Sequence, residues 1–208
     1  KSVCGVLLAG GRSRRMGGGD KCLLEIGGQT LLRRIADTAI VQVGPLVLNT
    51  NSNPALFDDY RLPVVADAVD GFAGPLAGVL TGLEWAVANA PDCDWVASFP
   101  CDAPFAPRDL VARLLAAIET NDADMACASS GGLDHPVFAL WPVRLAGALR
   151  YAVVHEGVRK VDAWTARYNL NRVEFELGCG TANGDPFFNI NRPGDLDAAA
   201  ALLAAYQD

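Results

Sequence analysis

The residues with the clearest chemical purpose lie near the start of the chain. The apolar run Gly5-Val6-Leu7-Leu8 is followed by Ala9-Gly10-Gly11-Arg12-Ser13-Arg14-Arg15-Met16-Gly17-Gly18-Gly19-Asp20-Lys21. Glycines let a backbone approach an anion closely and turn its N–H groups toward it. Arginines add planar donor forks suited to phosphate oxygens, and Lys21 adds a point charge. Four of the 17 Lys and Arg residues fall between Arg12 and Lys21, in a chain whose net charge is -7. The basic charge is thus local, which suits one polyphosphate ligand and argues against a broad nucleic-acid or membrane-surface footprint. Two familiar phosphate loops are excluded by spacing. Asp20 precedes and Cys22 follows Lys21, unlike G-x-x-x-x-G-K-[ST], and Arg12 stands where G-x-G-x-x-G needs its second glycine.

A second centre of chemistry is Asp102, directly after the apolar run Trp95-Val96-Ala97-Ser98-Phe99 and Pro100-Cys101. A carboxylate at the end of a central strand, with no basic residue after it until Arg108, suits a hard Mg²⁺ ion. Asn49 and Asn51 close another apolar run and offer amides for base or ribose recognition; singly, each would equally close a turn. Asp67 follows Val64-Val65-Ala66, where an aspartate commonly caps a turn. Gly74-Pro75-Leu76-Ala77-Gly78 reads as a tight turn into a helix. His135 is one of two histidines and reads as structural. Asn189 and Asn191 are expected on one face of a strand. The six cysteines form no C-x-x-C pair, and no zinc spacing exists. Reduced thiols in a cytoplasmic protein are expected, and no Ser/His/Asp or Cys/His nucleophile pattern is present.

These positions require a scaffold that gathers strand ends. Short apolar runs alternate with Ala- and Leu-rich segments, the pattern of parallel strands joined by helical crossovers. Strands are expected at Val3–Leu8, Leu46–Asn49, Val64–Ala66, Trp95–Phe99, Met125–Ala128 and Val137–Leu140. Helices are expected at Leu31–Ile40, Leu76–Asn89, Arg108–Glu119, Val143–Tyr151, Val158–Ala166 and Gly194–Ala205. Thr30 is placed to cap the first helix. Val137–Leu140 and Val173–Leu177 are assigned to one sheet edge, at least one of them antiparallel, and Gly178–Asp185 to a flexible loop. No apolar run suggests a membrane span, and Ser2–Leu8 reads as a strand rather than a secretory signal. The expected product is one α/β domain over residues 1–208. It has three α/β/α layers, a Rossmann-like arrangement and a mostly parallel mixed sheet, with ligands at the carboxyl ends of the strands.

Leu8-Ala9-Gly10-Gly11, Arg14-Arg15-Met16-Gly17 and Asp20-Lys21 together resemble the signature of the molybdenum cofactor guanylyltransferase (MobA) family. Wider relatives, the molybdopterin cytidylyltransferases and sugar-nucleotide pyrophosphorylases, usually carry patterns closer to L-A-A-G-x-G-T-R-M. Asn49, Asp67, Gly74–Gly78, Pro100-Cys101-Asp102-Ala103-Pro104, Asp134-His135-Pro136 and Asn189-Ile190-Asn191 follow in the family's order, so the resemblance runs from Gly5 to Asp195. It implies transfer of GMP from GTP to molybdenum-molybdopterin, with pyrophosphate released.

On that resemblance Asp102 would bind Mg²⁺, the Gly10–Arg15 loop would hold the β- and γ-phosphates, and Arg15 and Lys21 would be catalytic. Leu8, Ala9, Gly10 and Gly11 would contact the nucleotide, Asn49 and Asp67 would position base and sugar, and Gly78 would belong to the guanine turn. Asn189 and Asn191 would lie near the second substrate and metal. Other proteins of molybdenum cofactor biosynthesis, or its target enzymes, would be partners; no nucleic acid or membrane is expected. Cys22 and Gly71-Phe72-Ala73 depart from the usual pattern. The alternatives are a cytidylyl or sugar-phosphate nucleotidyltransferase, and a non-catalytic nucleotide-binding module. Retention of Asp102, Lys21 and the arginines argues against the last.

Overall fold

A computed structural model describes residues 2–10, 19–71, 74–178 and 184–205 of the chain. Its main sheet has seven strands: β1 (Val3–Leu8), β4 (Leu46–Asn49), β5 (Val64–Val65), β6 (Trp95–Pro100), β7 (Met125–Ser130), β8 (Leu133–Pro142) and β9 (Leu170–Phe175). Their order is β5-β4-β1-β6-β8-β7-β9. Every neighbouring pair is parallel except the two that β8 makes, with β6 and with β7. A small hairpin of β2 (Glu25–Ile26) and β3 (Gln29–Thr30) stands apart from this sheet.

The alternation of side chains along the strands produces the layers. On one face Leu7 of β1 and Ala97 and Phe99 of β6 meet α1 (Leu31–Ala39) and α3 (Leu110–Asn121). On the other face Cys4, Val6 and Val96 meet α2 (Pro75–Asn89), α4 (Ala146–Val154) and α5 (Val161–Thr165). The final helix α6 (Pro193–Ala205) joins the hairpin in a separate small cluster of Ile26, Leu31, Ile190 and Ala199. The expected three-layer mixed sheet is therefore present. No helix among the described residues is long and apolar enough to cross a membrane.

Several elements match their expected bounds because local punctuation sets them. The Thr30 hydroxyl accepts the Arg33 N–H at 3.0 Å and starts α1. Other segments differ. Val137–Leu140 is not at an edge: β8 is longer and runs between β6 and β7. Its start is set by Gly131 and Gly132, both at positive φ, which close the two-residue turn from β7. The edge strand on that side is β9, parallel to β7. Val143–Tyr151 divides into a 3₁₀ turn, Val143–Leu145, and α4, while Val158–Ala166 contracts to α5. The hairpin and a 3₁₀ segment, Pro54–Tyr60, are not expected from hydrophobic period alone, since each is too short to display one.

Helix α2 packs directly on the sheet through two glycines one turn apart that face it. A Cβ on Gly82 would lie 2.8 Å from Val6 Cβ, and one on Gly78 would lie 2.5 Å from Asn49 Oδ1. Gly82→Ala is expected to destabilise the fold by about 1–3 kcal/mol of overpacking, partly offset by about 1 kcal/mol of gained helix propensity. Urea denaturation measures this. An unchanged midpoint for Gly82→Ala would contradict the packing account.

Candidate active site

Strand register assembles the site. Leu8 at the end of β1 pairs with Asn49 of β4 on one side and Pro100 of β6 on the other. Ala9 N–H donates to the Asn49 carbonyl at 3.0 Å, and Cys101 N–H donates to the Leu8 carbonyl at 3.1 Å. The chain thus leaves three adjacent strands at one level, and Gly10, Asn49–Asn51 and Asp102 emerge at the same sheet end. Of the expected backbone contacts, Leu8 is half-buried, Ala9 buried and Gly10 exposed.

On the β6 side, Lys21 Nζ lies 2.9 Å from Asp102 Oδ2 and donates to Asn191 Oδ1 at 2.8 Å. The lysine begins a 3₁₀ turn, Lys21–Leu23, and its side chain is only 16% exposed against 33% for Asp102. The expectation that Asp102 stands clear of basic groups is corrected here. Lys21 is distant in sequence but lies against the end of β6 in space. Ser52 Oγ donates to Asp20 Oδ1, tying the preceding residue to the β4 end as well.

On the β4 side, Asp67 is gripped by both amides. Asn49 Nδ2 donates to its Oδ1 at 2.9 Å and Asn51 Nδ2 to its Oδ2 at 2.8 Å. Asp67 N–H returns a bond to Asn51 Oδ1 at 2.8 Å. The buried hydroxyl of Thr81 on α2 accepts the Ala68 N–H at 2.8 Å, fixing the next residue. Gly78 is buried, and the space beside its Cα is filled by Asn49 and Leu8. Its local contribution is to let these two residues lie against α2.

The site residues therefore form two groups flanking the end of β1: Lys21, Asp102 and Asn191 on one side, Asn49 and Asp67 on the other. Asn189 is exposed and separated from Asn191 by the buried Ile190. The two asparagines lie on irregular chain, not on a strand as expected, because Ile190 N–H donates to the Asp102 carbonyl at 2.8 Å rather than to a ladder. Gly11 and Arg15, with Arg12 and Arg14, lie outside the described residues, as do Cys179 and the middle of the Gly178–Asp185 loop. Sequence reading missed Asn51's grip on Asp67, Thr81, Ser130 and Asp185. Only the Asn-Thr-Asn spacing carried a signal for the first.

Cys22 and Cys101 flank Lys21 and Asp102, which raises the question of thiol chemistry. Both are buried free thiols. Burial, with Asp20 nearby, pushes Cys22 up to about 12, and burial pushes Cys101 well above the thiol range. Cys4 and Cys127 are likewise pushed up to about 12, chiefly by burial. Neutral buried thiols are poor nucleophiles. Iodoacetamide at about pH 8 is expected to spare these four in the native protein and label them after denaturation. Because the folded thiols keep protons that unfolded thiols release from 9.0, they also favour folding below that value. That contribution is expected to fade as pH rises toward about 12.

Comparison with known proteins bears on the same residues. The MobA-like NTP transferase domain matches residues 5–170. A molybdenum cofactor guanylyltransferase from Bradyrhizobium is 51% identical over 207 residues, covering 100% of this chain and 95% of the relative. Molybdopterin-guanine dinucleotide biosynthesis protein A from Archaeoglobus fulgidus has a TM-score of 0.75 at 21% identity, covering 97% of this chain and 99% of that one. Rv0371C from Mycobacterium tuberculosis, in complex with manganese, has a TM-score of 0.61 at 19% identity, covering 84% and 88%. At those identities the two solved structures speak for the fold alone. With the domain match spanning most of its length and a relative half identical throughout, the chain belongs to the MobA-like NTP transferase family.

Proposed function

We propose that this chain transfers GMP from GTP to molybdenum-molybdopterin. A terminal phosphate oxygen of the pterin bonds to the α-phosphorus of GTP, and the bond from that phosphorus to the β-phosphate oxygen breaks, releasing pyrophosphate. The observation that carries this reading is the Lys21–Asp102–Asn191 contact set at the β1 and β6 ends, in a chain half identical to a protein named for guanylyl transfer.

Both reactants are anionic, so alignment and charge neutralisation are the main tasks. Among the described residues no cluster of three or more His, Cys, Asp or Glu could hold a metal ion. Asp102 alone, one-third exposed, fits Mg²⁺, which takes one or two protein carboxylates and completes its shell with water and substrate phosphate. When bound, the metal would neutralise charge on the phosphate oxygens and on departing pyrophosphate.

Lys21 holds Asp102 in the free protein and would exchange that partner for the α-phosphate when nucleotide arrives. The exchange frees the carboxylate as the ammonium finds a new anion. Asn49 and Asp67, already fixed by Asn51 and α2, would present base and ribose contacts with little reorganisation. Leu8, Ala9 and Gly10 would line the nucleotide with backbone. Arg15 and Gly11 are assigned to the β- and γ-phosphates, and Asn189 with Asn191 to the second substrate. The buried free thiols support a reducing cytoplasmic setting.

Asp102→Ala is expected to lower pyrophosphate release by roughly 100-fold or more while melting close to the parent. Near-normal turnover would remove the carboxylate from the mechanism. Lys21→Met is expected to slow turnover and to strengthen binding of Mn²⁺ without nucleotide, read by electron paramagnetic resonance, because its competitor for Asp102 is gone. Mn²⁺ binding that stays the same or weakens would refute the exchange. Release with GTP should exceed that with CTP when molybdopterin is the acceptor; the reverse preference would assign cytidylyl transfer instead.

A further inference from the structure

Asp134-His135-Pro136 has found no part in the transfer so far. His135 lies at the start of β8, beside the end of β7, on the same sheet end as Asp102. Its Nε2 is 2.6 Å from Ser130 Oγ, and that hydroxyl donates to Asp185 Oδ1 at 2.7 Å. A serine hydroxyl has one proton. With that proton directed at Asp185, the contact with His135 requires the imidazole proton on Nε2. Burial holds His135 below its ordinary pKa, against Asp185, Asp134 and Glu174, so the ring is neutral at neutral pH.

This is not a hydrolase triad. Asp185 Oδ1 is 3.8 Å from the same ring nitrogen that meets the serine, whereas a triad carboxylate holds the opposite nitrogen. Ser130 is also 2% exposed, out of a substrate's reach.

The cluster instead holds a segment of chain. Asp185 Oδ1 accepts the Phe187 N–H at 2.8 Å, and the His135 and Phe187 ring centroids are 4.7 Å apart. Phe187 is buried, with Phe138 at 4.8 Å and Phe175 at 5.3 Å. Three residues on, Ile190 N–H reaches the Asp102 carbonyl, and Asn191 Oδ1 reaches Lys21. The far end is tied by Asp195 Oδ2, which accepts the N–H groups of Asn191 and Arg192 at 2.8 Å.

We infer that His135 is a positioning residue for the transfer: through Ser130 and Asp185 it seats the segment that delivers Asn191 to Lys21 and Ile190 to Asp102. The inference rests on the proposed reaction for its kinetic consequence, but the seating itself is open to a measurement without turnover. Neutral His135 donates, Ser130 relays and Asp185 receives; loss of the first donor leaves the relay and the aromatic contact incomplete.

The test compares His135→Ala, His135→Gln and Ser130→Ala in the full chain. In His135→Ala, amide exchange at Ile190 should quicken by about 10-fold or more, with β1 and β6 amides unchanged. The value of kcat should fall by roughly 10-fold, as expected for a displaced contact, while affinity for a fluorescent GTP analogue stays within about twofold. His135→Gln keeps an N–H donor and should restore most of both losses. Ser130→Ala should loosen Ile190 in the same way, and it provides the comparison if His135→Ala fails to fold.

Unchanged Ile190 exchange in the folded variants would overturn the proposal. So would faster exchange with unchanged kcat, failure of glutamine to rescue, or loss of protection spread equally through β1 and β6. If the unsubstituted chain releases no pyrophosphate from GTP and molybdopterin, the proposed reaction fails, while Ile190 exchange still decides whether His135 seats the segment.

Discussion

Lys21 and Asp102 come from opposite ends of the first half of the chain, and their 2.9 Å contact sets Lys21 against the end of β6. Opposite charges at that distance attract, more so where water is partly excluded. The pair therefore does two jobs before any ligand binds. It ties Lys21 to the sheet end, and it balances the charge of the carboxylate. Asn191 joins the same ammonium, which draws the irregular segment before α6 into the arrangement.

That contact depends on backbone register, which depends on close packing below it. Leu8 can stand level with Asn49 and Pro100 only because β1 is paired on both sides by parallel strands. Helix α2 reaches that level because Gly78 and Gly82 leave room for Asn49, Leu8 and Val6. Polar fixing then replaces apolar packing at the rim. Asp67 takes both asparagine amides, and Thr81 takes the next N–H. Ser130 with Asp185 does the corresponding work on the far side of β6, where β7 and β8 meet. The β4 side and the β7–β8 side of this sheet end are thus organised by separate hydrogen-bonded groups.

Much of this was legible in the residues. The bounds of β1 and β4 follow from apolar runs ended by glycine or polar residues, and α1 begins where Thr30 caps it. Lys21, Asp102, Asn49 and Asp67 were singled out by residue type and by position after apolar runs. What misled was adjacency. Asp102 has no basic neighbour along the chain, yet it has one in space. Val137–Leu140 was assigned to an edge because strand order leaves no mark on a single strand; β8 is interior because the Gly131-Gly132 turn folds it back between β7 and β6. Asn189 and Asn191 have the period of a strand, but the Ile190 amide bonds to Asp102 and not to a ladder.

The sequence by itself determined the chemistry available: local basic charge near glycines, a carboxylate after an apolar strand, paired amides, and thiols without metal spacing. It also determined the layer pattern, because alternation along strands and helical period are local properties of the chain. Tertiary structure decided which groups meet. Lys21 with Asp102 and Asn191, Asn51 with Asp67, and His135 with Ser130 and Asp185 are joined by strand order, register and loop return. Those depend on many distant contacts at once, and the free energy of bringing remote segments together is carried by the whole core.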